Sequence, residues 1–319
     1  MLKNGRLELN GISIALDDAS SDICFVSHAH SDHTEAFRKK GRSIIASDET
    51  FIIMGKEPQP RPATGIKLYP AGHMLGARQL RAETPDGTFV YTGDFALHDS
   101  YTAEAAPILS CDTLMIDSTY CSPKMRFPPR STVLSEMGKF VKANERGIIV
   151  FGAYARGKSQ ELVRFLNMEC GIAPIVCGSA SRFCEAYEKC GMKLDYVAAG
   201  TSEAEAGMEH PFVAIMQPNG VNFQFGARLS EAFGMDVKTA VATGWALNSR
   251  FPVDAAFALS DHADFRDTMR YIHGSGAKKV ICANSGSASA AAYLRSIGID
   301  ASEKSEKAKP QKTLAECEC

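Results

Sequence analysis

The stretch VSHAHSDHTE, residues 26–35, places three histidines and an aspartate within six positions, directly after an apolar run. The whole chain of 319 residues has only eight histidines. Imidazole and carboxylate are side chains that bind zinc and similar divalent metals. Residues two apart in an extended segment point to the same side, so His28 and His30 can bind one metal together. A turn after them would direct Asp32 and His33 toward a second metal.

Four further polar residues follow predicted strands at the point where each strand ends. They are His73 in LYPAGHMLGARQL, Asp94 in FVYTGDF, Asp117 in LMIDSTYC and His262 in AFALSDHADF. Separate strands of one sheet bring the side chains that follow them to a common edge. Taken with the first cluster, these residues predict a metal site assembled from distant parts of the chain. His98, His210 and His273 have no such setting, and we assign them no role in the site.

The composition is that of a globular protein, with 45% hydrophobic and 23% charged residues. We find no run of about 18 apolar residues, and the N-terminus lacks the apolar centre of a signal peptide, so we expect no membrane span. Ten cysteines without C-x-x-C pairs are typical of reduced intracellular thiols, which predicts a cytoplasmic protein. The net charge of −2 means that any nucleic-acid surface must be a local patch.

Strands and helices alternate along the chain, and the order of elements divides it into segments. Between about 130 and 243 the alternation is that of a parallel α/β layer, whereas the flanking segments are richer in strands. A proline-rich connector, PKMRFPPRST, lies near residue 125. The final stretch, 303–319, is charged and polar, and we expect it to be a mobile tail.

The motifs HAHSDH, AGHMLGA, TGDF and LSDHAD resemble the signature series of the metallo-β-lactamase fold in its nuclease branch, the β-CASP family. The resemblance covers nearly the whole chain before the tail. It implies an α/β protein with an αββα sandwich that is interrupted by an inserted β-CASP α/β domain. In this chain the sandwich would occupy 1–125 and 244–302, and the insert would occupy 126–243.

The resemblance also implies a role for each candidate ligand. Carried over by position, one metal is held by His28, His30 and His73, a second by Asp32, His33 and His262, and Asp94 bridges the two. Asp17, after GISIAL, and Asp117 match acidic residues that orient a ligand imidazole. Two metals, for which we expect zinc, suit phosphodiester hydrolysis by an in-line displacement. The catalytic residues would be Asp32, Asp94, Asp117 and His262.

The stretch GAYARGKS, residues 152–159, matches the phosphate-binding pattern G-x-x-x-x-G-K-[ST] between a strand and a helix. We find no partner strand that supplies an aspartate for magnesium, since Asp117 is already assigned to the metal site, and the resembled family has a similar segment without ATPase activity. We therefore predict that Arg156 and Lys158 contact a nucleic-acid phosphate instead of ATP. A second strand-to-helix turn, CGSASRF, adds the phosphate candidates Ser179, Ser181 and Arg182. A solvated helix cap explains this second turn equally well.

Two positions bear on the choice between DNA and RNA. The stretch IDSTYCSPKMRFPP resembles the D-T-T-Y-C-x-P segment of the Artemis-like and cross-link-repair nucleases, whereas the RNA-processing branch has Glu at the position of Asp117. At the last motif RNA-acting members carry His and DNA-acting members Val, and Asn284 matches neither. The absent His favours DNA. The compact length resembles prokaryotic exonucleases, some of them similar to mRNA 3′-end-processing factors, so RNA stays open.

Four functions therefore compete. The first is a two-zinc nuclease that acts on DNA from a 5′ end in DNA repair, and the second applies the same chemistry to RNA, by exo or endo cleavage. The third is a catalytically weak nucleic-acid-binding or scaffold protein, which has no need of seven ligand positions. The fourth is a hydrolase of a small ester, thioester or lactone, against which Asp117, the insert and SDHAD argue. The sequence predicts no oligomeric state.

Overall fold

A computed structural model of the chain describes residues 2–60, 62 and 65–304. The chain divides into two compact units. The first combines the described residues up to Arg126 with those from His262 onward, and the second runs from Phe127 to Asp261. Apart from residues 303 and 304, the predicted mobile tail lies outside the described residues.

Seventeen strands lie within the described residues and form three sheets. In chain order they are β1 (Leu2–Lys3), β2 (Arg6–Leu9), β3 (Ile12–Leu16), β4 (Ile23–Phe25), β5 (Ser43–Ile45), β6 (Lys67–Pro70), β7 (Arg78–Thr84), β8 (Gly87–Tyr91), β9 (Thr113–Asp117), β10 (Ile148–Gly152), β11 (Ile175–Val176), β12 (Val197–Ala198), β13 (Val213–Met216), β14 (Val237–Ala242), β15 (Ala255–Phe257), β16 (Lys279–Ala283) and β17 (Ala301–Glu303).

Eight α-helices connect these strands in the described part of the chain. They are α1 (Asp48–Ile53), α2 (Arg130–Ala143), α3 (Lys158–Phe165), α4 (Ser179–Lys189), α5 (Ser202–Gly207), α6 (Phe223–Phe233), α7 (Phe265–Ser275) and α8 (Ser287–Ser296). A π-helical turn, Leu166–Cys170, continues α3. None of the helices in these ranges combines the length and the apolar character that a membrane crossing requires.

The first unit contains two sheets, in the orders β1-β2-β3-β4-β5 and β17-β16-β9-β8-β7-β6. An Asn10–Gly11 turn, with φ of 50° and 79°, joins β2 to β3 as a tight hairpin. Alternate residues of both sheets are buried in one shared core, because successive side chains of a strand point to opposite faces. That core contains Leu7, Leu9, Ile14, Leu16, Phe25, Leu80, Phe89, Tyr91 and Met115.

The second unit has one sheet of six parallel strands, in the order β12-β11-β13-β10-β14-β15. Its central strand β10 is buried along its whole length, as expected of a strand covered on both faces. Strands and helices alternate in it over the stretch from about 130 to 243, for which a parallel α/β layer is predicted. The unit continues past that predicted end to Asp261, because β15 pairs in parallel with β14 and so belongs to the same sheet. The chain is therefore a mixed α/β protein.

Candidate metal centre

Three adjacent parallel strands of the second sheet of unit 1 bring polar side chains to one edge. Asp117 ends β9, Asn284 follows β16, and Asp94 lies three residues beyond β8. The Asn284 side-chain amide donates to Asp94 Oδ1 at 2.6 Å and to Asp117 Oδ1 at 3.1 Å. The register of parallel neighbours thus brings Asp94 and Asp117, two of the four residues predicted after strand ends, to one edge of this sheet.

The other sheet of unit 1 contributes the histidine-rich stretch. Strands β3 and β4 are parallel neighbours, so Asp17, which follows β3, meets Ser27 and His28 just beyond β4. The Ser27 amide and hydroxyl donate to the two Asp17 carboxylate oxygens, both at 2.6 Å. The Ser27 hydroxyl also lies 2.9 Å from His28 Nδ1, which fixes this buried ring and leaves its Nε2 facing the centre.

Four of the predicted ligands converge on one point. His28, His30, His73 and Asp94 each offer one donor atom, and these atoms all lie within 4.8 Å of one another. His30 Nδ1 is 3.0 Å from the Nε2 atoms of both His28 and His73. Donor atoms around a tetrahedral zinc ion with bonds of about 2.0–2.1 Å are roughly 3.3 Å apart. The donor set and its spacing therefore fit a zinc-type ion.

A second group shares Asp94. Asp94, Asp117 and His262 also offer donor atoms within 4.8 Å of one another. Asp94 Oδ2 lies 3.5 Å from the Nε2 atoms of His28 and His33, 3.7 Å from that of His73 and 3.9 Å from that of His262. One carboxylate oxygen therefore faces four imidazoles, which is the position that a bridging ligand would occupy.

Asp32 differs from the other candidates in its exposure. Its Oδ2 lies 3.4 Å from His33 Nε2, but its side chain is 75% exposed whereas that of His33 is 6% exposed. Within the centre it is the accessible carboxylate, on the side where a substrate could reach it.

Carboxylates lie behind two of the imidazoles. Asp17 Oδ2 is 2.8 Å from His33 Nδ1, and Asp117 Oδ2 is 2.8 Å from His262 Nδ1. Each carboxylate fixes the tautomer of its ring, so that Nε2 is left to act as a ligand. Sequence reasoning missed Tyr91, whose buried hydroxyl donates to Asp17 Oδ2 at 2.7 Å. Its place in an apolar strand carries no sequence signal for this contact.

Burial and the close contacts within the centre shift the pKa values of its groups. Burial and nearby Asp117 raise the pKa of Asp94 to about 7, against the effect of His33. Burial lowers the pKa of His33, but the carboxylates of Asp94 and Asp17 outweigh it and bring the pKa well above its usual value. The pKa of His28 lies well below its usual value because of burial and the neighbouring imidazoles. A divalent cation would take the place of the proton on His33 and offset the repulsion between Asp94 and Asp117.

The structure gives Lys158, in the second unit, a different environment from the one predicted. Its Nζ donates to Glu161 Oε2 at 2.7 Å and to Asp261 Oδ1 at 2.6 Å, and Arg130 also pairs with Glu161. The Lys158 side chain is only 6% exposed. Burial lowers its pKa to about 8, although Asp261 acts in the opposite direction. These contacts argue against the predicted phosphate contact of Lys158, because its charge is already neutralised inside the unit.

The other phosphate candidates lie around the start of α4. The guanidinium groups of Arg156 and Arg182 lie over the ring of Phe183, at 4.6 Å and 5.0 Å from its centroid. Ser179 Oγ accepts from the Gln217 amide at 3.1 Å. The Ser181 hydroxyl donates to the carbonyl of residue 178 at 2.9 Å, in the manner of a helix cap. The structure therefore brings the two arginines together and leaves the serines in local contacts.

No model of a known protein family matches the chain. It is 29% identical over 295 residues to a probable DNA ligase from Opitutus terrae, which covers 87% of this chain and 28% of that protein. It is 28% identical over 177 residues to the 5′ exonuclease Apollo of Gallus gallus, a match that covers 49% of this chain and 38% of that protein. It is 27% identical over 190 residues to an RNase J-like protein of Methanocaldococcus jannaschii, covering 48% and 45%. The chain thus spans between 28% and 45% of the length of these relatives.

A solved structure also resembles the chain. A protein of unknown function from Enterococcus faecalis V583 is 15% identical and has a TM-score of 0.56. The structural match covers 82% of this chain and 74% of that one. At this identity the match indicates a shared fold alone. DNA cross-link repair proteins of mouse and of Arabidopsis thaliana also match. With these relatives the resemblance of the motifs to the β-CASP branch of the metallo-β-lactamase-fold nucleases is confirmed, and the compact Artemis-like group fits the chain.

Proposed function

We propose that the chain is a nuclease that hydrolyses phosphodiester bonds with two divalent metal ions, and that these ions are zinc. The observation that carries the proposal is Asp94 Oδ2, which faces four imidazole nitrogens at 3.5–3.9 Å. When bound, two such ions supply an activated hydroxide and stabilise the attacking and leaving oxygens of the phosphate.

Some side chains of the centre would bind the ions, and others would orient these ligands. We assign His28, His30 and His73 to one ion, Asp32, His33 and His262 to the other, and Asp94 to both. Asp17 and Asp117 hold the rings of His33 and His262, each through a 2.8 Å contact to Nδ1. The exposed Asp32 is the ligand that can reorient as a substrate enters.

For the first unit we propose the αββα sandwich. Its two sheets share one core, which supports a face-to-face pair of layers. Phe51 of α1 packs with Cys24 and Val26 on the other side of the first sheet. Helix α7 contacts β9, and α8 contacts β16 and β17, which supports a helical layer on the second sheet.

We propose DNA as the substrate and a 5′ end as the starting point, in a role in DNA repair within the cytoplasm. Apollo is named as a 5′ exonuclease, and the region in common with a probable DNA ligase also favours DNA. Asp117 and the non-histidine Asn284 support the same choice. An RNA-processing nuclease is the second candidate, and the RNase J-like relative supports it. Only the fold supports the alternative of a hydrolase that acts on a small ester or thioester.

We propose that Arg156 and Arg182 form the contact for a terminal 5′-phosphate. Both guanidinium groups lie over Phe183, so two positive charges are held on one rigid surface. Ser179, the first residue of α4, adds the backbone N–H groups of a helix start, which favour anions. Lys158 is left out of this contact because of its internal ion pairs.

Digestion of labelled nucleic acids tests these assignments. A 3′-labelled single strand of DNA should shorten stepwise from its 5′ end, and faster when it is phosphorylated there. Asp94→Asn should remove this activity, whereas His210→Ala, at an exposed histidine of the second unit, should leave it unchanged. Faster degradation of RNA, or equally fast cutting of circular strands, would favour the RNA-processing alternative. Absence of cleavage on every strand would contradict the nuclease proposal.

A further inference from the structure

Asn284 connects the two carboxylates of the centre. It follows β16 in the left-handed backbone conformation, with φ of 66°. Its side-chain nitrogen contacts Oδ1 of Asp94 at 2.6 Å and Oδ1 of Asp117 at 3.1 Å. Both partners are acceptors when ionised, so the atom between them must be the amide nitrogen, with one N–H directed to each.

The oxygens that Asn284 does not contact are the ones that face the ligands. Asp94 Oδ2 faces the Nε2 atoms of the histidines, and Asp117 Oδ2 lies 2.8 Å from Nδ1 of His262. Asn284 therefore holds the outer oxygen of both groups at once. Without it, the Asp94 carboxylate could rotate and exchange its two oxygens, and two buried anions would face each other without a shared donor.

We propose that Asn284 is a positioning residue that selects the Oδ2 atom of Asp94 as the metal-bridging oxygen. The inference rests on the two-metal function proposed above. Asn284 has no acid or base to contribute, because an amide keeps its N–H groups at every working pH. Its contribution is orientation: the bridging carboxylate and the carboxylate behind His262 are held by one rigid group.

A simpler explanation is that Asn284 only suits the turn, because asparagine tolerates the left-handed conformation. Glycine tolerates it at least as well. Asn284→Gly therefore keeps the turn and removes both N–H donors, so it separates the two explanations. Asn10→Gly is the matched control, since Asn10 has φ of 50° in an exposed hairpin turn of the same unit.

The test measures metal affinity by competition with a chromophoric zinc chelator, together with kcat and KM on single-stranded DNA. We expect Asn10→Gly to match the wild type. For Asn284→Gly we expect a loss of about ten- to a hundredfold in affinity for at least one ion, as for other groups that orient ligands. A comparable fall in kcat should accompany it, with KM changed by less than about twofold.

Asn284→Asp provides a second readout that does not depend on the glycine variant folding, because aspartate also tolerates the left-handed conformation. An ionised aspartate keeps the shape of the side chain but has no N–H to donate to the two carboxylates. We expect its kcat to fall at least as far as that of Asn284→Gly. A residue that serves only the turn would leave kcat at the wild-type value.

Wild-type affinity and kcat in Asn284→Gly, or wild-type kcat in Asn284→Asp, would overturn the positioning role while leaving the metal centre intact. Wild-type protein that binds fewer than two ions would instead refute the proposed function and the positioning role with it.

Discussion

The centre around Asp94 and the cluster around Lys158 both lie just beyond the carboxyl ends of parallel strands, but they differ in their spacing. Asp94 Oδ2 is 3.5–3.9 Å from four imidazole nitrogens, which is longer than a hydrogen bond. Lys158 Nζ is 2.7 Å and 2.6 Å from two carboxylates. The first spacing leaves room for an ion among the donor atoms, whereas in the second a side-chain cation already fills that place.

The difference shows why a matching pattern does not decide a function. GAYARGKS matches the sequence pattern of a phosphate-binding loop. Its lysine, however, is buried and forms ion pairs with Glu161 and Asp261 of its own unit. HAHSDH is shorter still, and its histidines meet partners from a second sheet that complete a candidate ligand set. The partners that distant segments supply decide what each pattern can bind.

Removing a ligand should break the metal centre, and this is the largest effect that we expect. His30→Ala or Asp94→Asn should lower the hydrolysis rate by more than about a hundredfold, beyond the loss expected for a group that only orients a ligand. Elemental analysis should find about two zinc ions in the wild type and fewer in the variants. Activity that survives both substitutions would show that the ligand assignment is wrong.

Replacing Lys158 should instead destabilise the second unit. Lys158→Met leaves two buried carboxylates with one fewer cation, which should lower the free energy of unfolding by about 3–5 kcal/mol. Denaturant unfolding measures this loss, and Lys189→Met, at an exposed position of the same unit, is the control. A stable Lys158→Met variant that had lost an ATPase activity of the wild type would instead restore the phosphate-loop interpretation.

The alternation of strands and helices could be predicted because most of the strands are short apolar runs between polar helical stretches. The hairpin of β2 and β3 lies in the stretch RLELNGISIAL, which alternates but is short and polar, so it gives a weak sequence signal for strands. Helix α6 gives a weak signal because Gly226 lies within it and glycine disfavours helices. This glycine allows a close approach of the helix to the sheet, since a Cβ there would lie 3.1 Å from a methyl group of Thr239.

The candidate ligands could also be predicted, because histidine clusters are rare and metal chemistry restricts the residue types. The contacts of Asn284, Tyr91 and Lys158 could not. Each depends on a partner that is distant in the chain, such as Tyr91 with Asp17 or Lys158 with Asp261. Sequence spacing alone does not determine such pairs, because the first joins two different sheets and the second joins a helix to a loop.

The carboxylates behind the histidines allow a sharper test of the metal centre. Asp17→Asn and Asp117→Asn keep the shape of the side chain but remove the charge that orients the rings of His33 and His262. Each should lower zinc affinity by about ten- to a hundredfold. Competition with a chelator measures this, and Asp18→Asn, next to Asp17 in the chain, is a control with a different set of contacts. Unchanged affinity in both variants would remove their orienting role.

Metal binding should release protons, since the raised pKa of His33 keeps this ring protonated at neutral pH without metal. Because the folded pKa lies above the unfolded value, this proton stabilises the metal-free protein fully below about pH 6.5. That stability is lost as the pH rises through the folded pKa. Zinc affinity should accordingly increase with pH. Calorimetric titration at pH 7 in buffers of different ionisation enthalpy should find that at least about one proton is released. If no proton were released, the proposed metal site would be contradicted.

The smallest effect concerns Arg156 and Arg182, which lie in the same unit as Lys158. Their guanidinium groups lie over the ring of Phe183 and not among carboxylates. If Arg182 contacts a phosphate, Arg182→Met should make the dependence of log Kd on log salt shallower by about one unit. The preference for a 5′-phosphorylated strand should fall with it. Arg228→Met, at an exposed arginine of the same unit, should change neither quantity. Lys158→Met should also leave the slope unchanged, because its ammonium already has two carboxylate partners. A shallower slope for Lys158→Met and not for Arg182→Met would reverse the comparison between the two groups.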